Sequence, residues 1–214
     1  MTLETMIQQL GSGMVVSTEI FFLTLLFSLP LGLLVCFGRM SRFSLFRWLM
    51  SAYISVMRGP PLMLQLMVVY FGPYFFFGIS ITRGYSMVAV LIGFALNYAA
   101  YFAEIFRGGL LSIDRGQYEA CQVLGLNKVQ TTFHVILPQM IRVALPSITN
   151  ESITLVKDTA LVFAISITEI LYYAKAAVTR TGNVLPYVIA FVIYLAMNTV
   201  LQLFFNWLEK KMAY

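Results

Sequence analysis

Five apolar runs dominate the chain, at roughly 14–38, 49–77, 85–106, 143–167 and 185–207. Each is long enough to cross a membrane as a helix, which needs about 20 residues. In hydrocarbon every backbone amide must be satisfied within its own segment, so such runs fold as helices packed side by side. The expected fold class is an all-α membrane protein with five transmembrane helices, read as one domain over 1–214. Only 11% of the residues are charged and 60% are hydrophobic, whereas about a quarter are charged in soluble domains, so a soluble globular protein is excluded. A cleaved signal peptide needs positive charge ahead of its apolar core. Residues 1–13 carry only Glu4, so the first run is read as a true span.

Orientation follows from the lysines and arginines. Arg39, Arg42 and Arg47 follow the first run, Arg107, Arg115, Lys128 and Arg142 lie between the third and fourth, and Lys210 and Lys211 follow the fifth. The opposite side holds Arg83, Lys175 and Arg180. The positive-inside bias then puts the N-terminus outside, with the C-terminus and a central loop at about 107–142 in the cytoplasm. The net charge of +5 is accounted for by topology, so membrane lipid is an expected partner and nucleic acid is not. Cys36 and Cys121 suggest no disulfide framework, and a lone His134 offers no metal pair. No G-x-x-x-x-G-K-S/T occurs, so the chain binds no ATP through such a loop, and no nucleophile–base pair points to an enzyme.

The stretch Asp114–Pro138 is the one long polar, helix-forming segment. Arg115 and Glu119 share a helix face, and Tyr118, Cys121, Gln122 and Leu124 continue an amphipathic pattern. Gly125 can end that helix in a left-handed conformation; a second short segment follows, and Pro138 returns the chain to apolar sequence. Such a hairpin cannot lie in lipid. Glu119-Ala120, Gly125 and the later Ile136-Leu137-Pro138 resemble the EAA loop of permease subunits of ABC importers, with Cys121 where that family has alanine. The resemblance implies the type I importer permease fold. It also implies a cytoplasmic coupling helix seated in a groove of the ATPase, with Asp114, Gln117, Glu119, Ala120, Gly125 and Leu126 as coupling residues.

Two further segments narrow the resemblance to polar amino-acid permeases. Arg58-Gly59-Pro60-Pro61-Leu62 is similar to their R-G-T-P-L segment, with Pro60 for threonine. Its paired prolines lack amide donors, so a helix begins at Pro60 or is broken there, and Arg58 is read as an anchor near the cytoplasmic headgroups. The run Asn97–Arg107 resembles N-x-x-A-Y-x-A-E-x-x-R-G. Its Ala99, Ala100 and Ala103 form a small-residue surface for close helix approach, and Glu104 is read as a structural partner of a nearby arginine such as Arg107. Asn97, a lone amide at mid-span, is either a helix–helix hydrogen bond or a substrate contact.

The fourth run is the anomaly, because it carries Asn150, Glu151, Thr154, Lys157 and Asp158. Each charge at a span centre costs about 2.5–3.5 kcal/mol on insertion scales, which excludes a lipid-facing position. Glu151 and Asp158, two helical turns apart, share a face at about 10 Å, with Lys157 pointing away. They belong either to an internal ion-pair network with Lys157 or to a wet cavity that binds the ammonium or other cationic groups of a substrate. The second reading is preferred for Glu151, and Asp158 is left open. The run N-E-S-I-T-L-V-K-D-T-A-L resembles the N-x-x-I-x-L-x-K-D-T-S-L stretch of the same permeases, with Ala160 where the family often has serine. The resemblance implies substrate contacts on this helix, so Asn150, Glu151, Thr154 and Asp158, with Asn97 of the third run, make the candidate substrate-binding set.

The resemblance further implies a second permease subunit, identical or paralogous, an ABC ATPase dimer that binds ATP and Mg, and an extracytoplasmic amino-acid-binding protein. The setting it implies is the bacterial cytoplasmic membrane. An acid directly after Asn150 points to a cationic amino acid or cystine, with glutamine or glutamate as the alternative. An ion-coupled secondary transporter is the rival class, but it has no use for an amphipathic cytoplasmic hairpin. Residues 172–183 are expected to include a short interfacial helix.

Overall fold

The computed structural model describes residues 3–82 and 84–212; Arg83, counted above with the outer-side charges, lies outside them. The described residues form helices α1 Leu3–Arg39, α2 Ser44–Arg58, α3 Leu62–Phe77, α4 Tyr85–Leu111, α5 Arg115–Val123, α6 Lys128–Gln130, α7 Leu137–Asp158, α8 Ile170–Thr181 and α9 Leu185–Met212. A π-helical turn, Thr131–Ile136, joins α6 to α7, and a 3-10 stretch, Thr159–Ile165, follows α7.

Among the described residues α1, α4 and α9 are each long and apolar enough to cross a membrane. Two bent pairs bring that to as many as five if each counts as one span: α2 with α3, which turn by 103°, and Lys128–Ile165 with α8, which turn by 55°. The run expected at 49–77 is therefore two helices and not one straight rod. The cause is local: Pro60 and Pro61 remove two donors, and Pro61 takes an extended conformation (φ −58°, ψ 137°) ahead of α3. The segment after the second bend forms α8 where an interfacial helix was expected.

The core is built around α4. Phe94, Tyr98, Phe102 and Phe106 run down it at helical spacing, with successive ring centroids 6.3, 6.2 and 6.3 Å apart. The buried Ala99, Ala100 and Ala103 beside them leave room for α1. At Gly32 of α1 a side chain would have its Cβ 2.8 Å from Phe102 Cβ and 3.0 Å from the Ala99 carbonyl oxygen, so only glycine allows this approach. By contrast α9 exposes Phe191, Val192, Leu195, Val200 and Leu203 on an apolar surface suited to lipid.

Polar ties hold α9 at both ends. Tyr194 Oη donates to Glu169 Oε2 at 2.9 Å, and Thr149 Oγ1 donates to Glu209 Oε1 at 2.9 Å. Glu169 is fully buried and also caps α8, accepting from the amides of Leu171 and Tyr172 at 2.6 Å each.

Candidate functional site

Two places concentrate polar chemistry: the α5–α6 hairpin, and a cavity among the α2–α3 elbow, α4 and α7.

Asp114 caps α5, its carboxylate accepting from the Gly116 amide at 2.6 Å. At the other end Gly125 adopts φ +73°. Its amide donates to the Gln122 carbonyl and the Leu126 amide to the Cys121 carbonyl, both at 3.0 Å, which is a complete Schellman stop. Asn127 and Gln130 then form a capping box for the next helix. Gln117 Oε1 accepts from Gln139 Nε2 at 3.0 Å, tying α5 to the first turn of α7. Of the α5 side chains only Cys121 is buried. Glu119 and Ala120 are exposed, and beside them the apolar Val123 and Leu124 are 88% and 75% exposed. These bare apolar side chains form an exposed apolar patch on an otherwise polar hairpin.

The π-helical turn was not expected from the sequence. The Leu137 amide donates to the Thr132 carbonyl, five residues back. Pro138 is the signal that could have been read, since its ring would crowd the His134 carbonyl in a regular α-helix. His134 itself is exposed in this turn.

The cavity, of about 470 Å³, is lined by Arg58, Pro60 and Pro61 from the elbow, by Asn97, Tyr98 and Tyr101 from α4, and by Glu151, Thr154 and Asp158 from α7. Arg58, expected as a headgroup anchor, is thus at the cavity wall, its guanidinium carbon 4.9 Å from the Tyr101 ring centroid. That distance is a cation–π contact. Tyr98 Oη donates to Asp158 Oδ2 at 2.7 Å. Thr154 Oγ1 donates to the Asn150 carbonyl at 3.1 Å, which leaves its lone pairs free. Glu104 holds two ion pairs, with Arg107 Nη2 at 2.6 Å and Arg39 Nε at 4.0 Å. Neither Glu151 nor Asp158 forms an ion pair within 4.0 Å among the described residues.

Not every residue of the sequence-derived set meets in this cavity. Asn150 and Lys157 are exposed on α7 outside its lining, on a face shared with Ser147 and Thr154. Asn97 lines the cavity but is 4% exposed, and its Nδ2 donates to the Met57 carbonyl at 2.7 Å and to Gln65 Oε1 at 3.1 Å. Tyr98, Tyr101 and Gln65 carried no assigned role in the sequence. Tyr101 stood in the sequence only as the tyrosine of the N-x-x-A-Y-x-A-E resemblance, and Tyr98 only as one of its unspecified positions.

The family described as binding-protein-dependent transport system inner membrane component matches residues 28–214. The chain is 40% identical over 195 residues to the "probable amino-acid ABC transporter permease protein YckA" of Bacillus subtilis (strain 168), covering 90% of this chain and 84% of that protein. It is 36% identical over 201 residues to the arginine transport system permease protein ArtQ of the same organism, covering 94% and 90%. To its L-cystine transport system permease protein TcyB the identity is 34% over 205 residues, covering 95% and 86%. A crystal structure of an amino acid ABC transporter with histidines superposes with TM-score 0.86 at 30% identity, over 99% of both chains. The inward-facing MetNI methionine ABC transporter, at TM-score 0.76 and 19% identity over 100% of both, is alike in fold. With the family match running through the hairpin and all three cavity walls, the chain belongs to the binding-protein-dependent transport system inner membrane components, as the permease subunit of an amino-acid ABC importer whose ATPase is a separate subunit.

Proposed function

We propose that this permease carries a cationic amino acid, or cystine, inward across the bacterial cytoplasmic membrane, and that the cavity is its binding site. The observation that carries this reading is the charge arrangement: Glu151 and Asp158 line one cavity with Arg58, and among the described residues neither acid forms an ion pair within 4.0 Å. Two negative groups and one positive group complement the ammonium, carboxylate and cationic side chain of a basic amino acid. Arg58 takes the carboxylate, the acids take the two cations, and Thr154 accepts from either. Cystine offers an ammonium group to each acid. The names of the arginine and cystine relatives, and the transporter with histidines, support the same class.

One observation favours a second reading. Because Tyr98 already donates to Asp158, that carboxylate is partly satisfied. Arg58 and Glu151 would then hold the zwitterion of a neutral amino acid such as glutamine.

In the preferred reading the bent pairs count as spans, giving five, with the N-terminus outside and the hairpin and C-terminus in the cytoplasm. Ser147, Asn150, Thr154 and Lys157 form an exposed polar face on α7 that cannot border lipid, and it faces a second permease subunit across a hydrated path. The hairpins of the two subunits dock on an ATPase dimer that binds ATP and Mg, and an extracytoplasmic binding protein delivers the amino acid. The Gln117–Gln139 tie links movement of α5 to α7, the helix that carries Glu151 and Asp158.

The test is ATP hydrolysis by the permease reconstituted with its ATPase and binding protein, screened against the twenty amino acids, ornithine and cystine. Stimulation by basic amino acids or cystine, lost in Glu151→Gln, is expected. Stimulation by neutral or acidic amino acids alone would overturn the substrate class.

A further inference from the structure

The α2–α3 elbow is held by two amide side chains, one of them from another helix. In an unbroken helix the amide of residue 61 would donate to the carbonyl of Met57, four residues back; Pro61 has no N–H, so that carbonyl loses its backbone partner. Asn97 Nδ2 of α4 donates to it at 2.7 Å, and Gln65 Nε2 of α3 donates to it at 2.9 Å. Gln65 Nε2 also donates to the Pro60 carbonyl at 2.9 Å, while its Oε1 accepts from Asn97 Nδ2 at 3.1 Å. An amide nitrogen has two N–H groups, so the donors of Asn97 and Gln65 are all used and neither has one left for a ligand. Within a membrane, freed backbone carbonyls must be satisfied by neighbouring side chains or by water, and here side chains supply the donors.

The clasp spans α2, α3 and α4. It fixes the place where the chain turns by 103°, and the next residue after Met57 is Arg58. Holding the Met57 carbonyl against Asn97 therefore sets where the Arg58 guanidinium can reach, and it reaches the Tyr101 ring one helical turn along from Asn97. The same elbow supplies Pro60 and Pro61 to the cavity wall.

We propose that Asn97 and Gln65 are positioning residues for transport: by capping the carbonyls that Pro61 and the elbow leave open, they hold Arg58 at the cavity wall opposite the α7 acids. This rests on the cavity being the substrate site. The sequence left Asn97 between a helix–helix hydrogen bond and a substrate contact, and the clasp assigns it the first of these with a consequence for the second.

The experiment uses the whole complex, with the permease carrying Cys36→Ala, Cys121→Ala and a reporter Leu62→Cys at the start of α3. Asn97→Asp and Gln65→Glu keep side-chain size and replace donors by acceptors; Gln65→Glu retains the oxygen that Asn97 uses, and so is the milder variant. Co-purification with the ATPase shows which variants assemble. In assembled complexes the rate at which a hydrophilic maleimide labels Leu62→Cys is expected to rise several-fold in both variants. The substrate concentration for half-maximal ATPase stimulation is expected to rise roughly tenfold at unchanged maximal rate. Arg58→Ala raises that concentration on its own, and adds little in the Asn97→Asp background because the guanidinium is already displaced. Labelling that stays unchanged in both variants overturns the clasp. An Arg58→Ala effect that persists in full in the Asn97→Asp background overturns positioning, because Asn97 would then act on the substrate independently. If Arg58→Ala and Glu151→Gln both leave half-saturation untouched, the reading of the cavity fails, and with it the positioning role, while the labelling still reports whether the clasp holds the elbow.

Discussion

Tyr98 and Asp158 join α4 to α7 through a 2.7 Å hydrogen bond inside the cavity, with the phenol as donor. The other acid of the cavity, Glu151, lies two turns earlier on α7 and has no such donor from α4. The two carboxylates are therefore unequal. Asp158 is held in place by α4, whereas Glu151 is the freer to meet a cation.

Tyr98→Phe separates these roles. Losing a buried hydrogen bond to a carboxylate is expected to lower stability by about 1–3 kcal/mol, read as a drop in the melting temperature of the purified permease. It also frees Asp158, so the half-saturating concentration of a basic substrate is expected to fall a few-fold. Glu151→Gln should do the reverse, raising half-saturation with little change in melting. Equal transport effects from both variants would show that the acids are not differentiated.

On the hairpin, Glu119→Lys and Leu124→Asp are expected to weaken association with the ATPase while leaving the permease folded. Both side chains are exposed, and neither is tied to the rest of the chain by a hydrogen bond or ion pair in this structure. A pull-down against the ATPase reads the loss, and an unchanged melting curve separates it from misfolding. Full assembly with normal transport would remove the coupling role from this surface.

Gly125→Val tests the stop of α5. At φ +73° a side chain costs about 1–2 kcal/mol, and a β-branched one is the worst fit. The Schellman bonds to Gln122 and Cys121 should weaken, and limited proteolysis should cut faster between residues 123 and 128. Gly125→Asn, which tolerates the left-handed region, is expected to behave nearly as the parent chain.

Where the sequence spoke clearly, one local rule dominated. Gly125 after an amphipathic run gave the helix stop, and Pro60-Pro61 gave the break, because each acts through its own backbone. The placement of Arg58 was not legible: a basic residue beside a span ordinarily marks the headgroup level, and only the fold puts it on the wall of the cavity that Glu151 also lines. The partners of Asn97 were equally hidden, since Met57 and Gln65 lie 40 and 32 residues away in the chain. The π-helical turn resisted prediction for a different reason. Pro138 would crowd the His134 carbonyl of a regular helix, but a proline in the first turn normally costs nothing, so the same residue also reads as an ordinary helix start.

The contact between α1 and α4 supports the α4 wall of the cavity, because α4 carries Asn97, Tyr98 and Tyr101 and rests on α1. Two glycines of α1 give opposite expectations. Gly32→Ala would put a Cβ 2.8 Å from Phe102 Cβ and 3.0 Å from the Ala99 backbone oxygen, and the backbone atom cannot move aside. The helices must separate, at a cost of roughly 1–3 kcal/mol. At Gly11 an added Cβ meets nothing within 4 Å, so Gly11→Ala removes only unfolded-state freedom and is expected to stabilise by about 0.4–1 kcal/mol. Thermal melts of the two variants in the same detergent should therefore shift in opposite directions. If Gly32→Ala melts like the parent, α1 and α4 have room to part, and the position of the cavity on α4 does not depend on that approach.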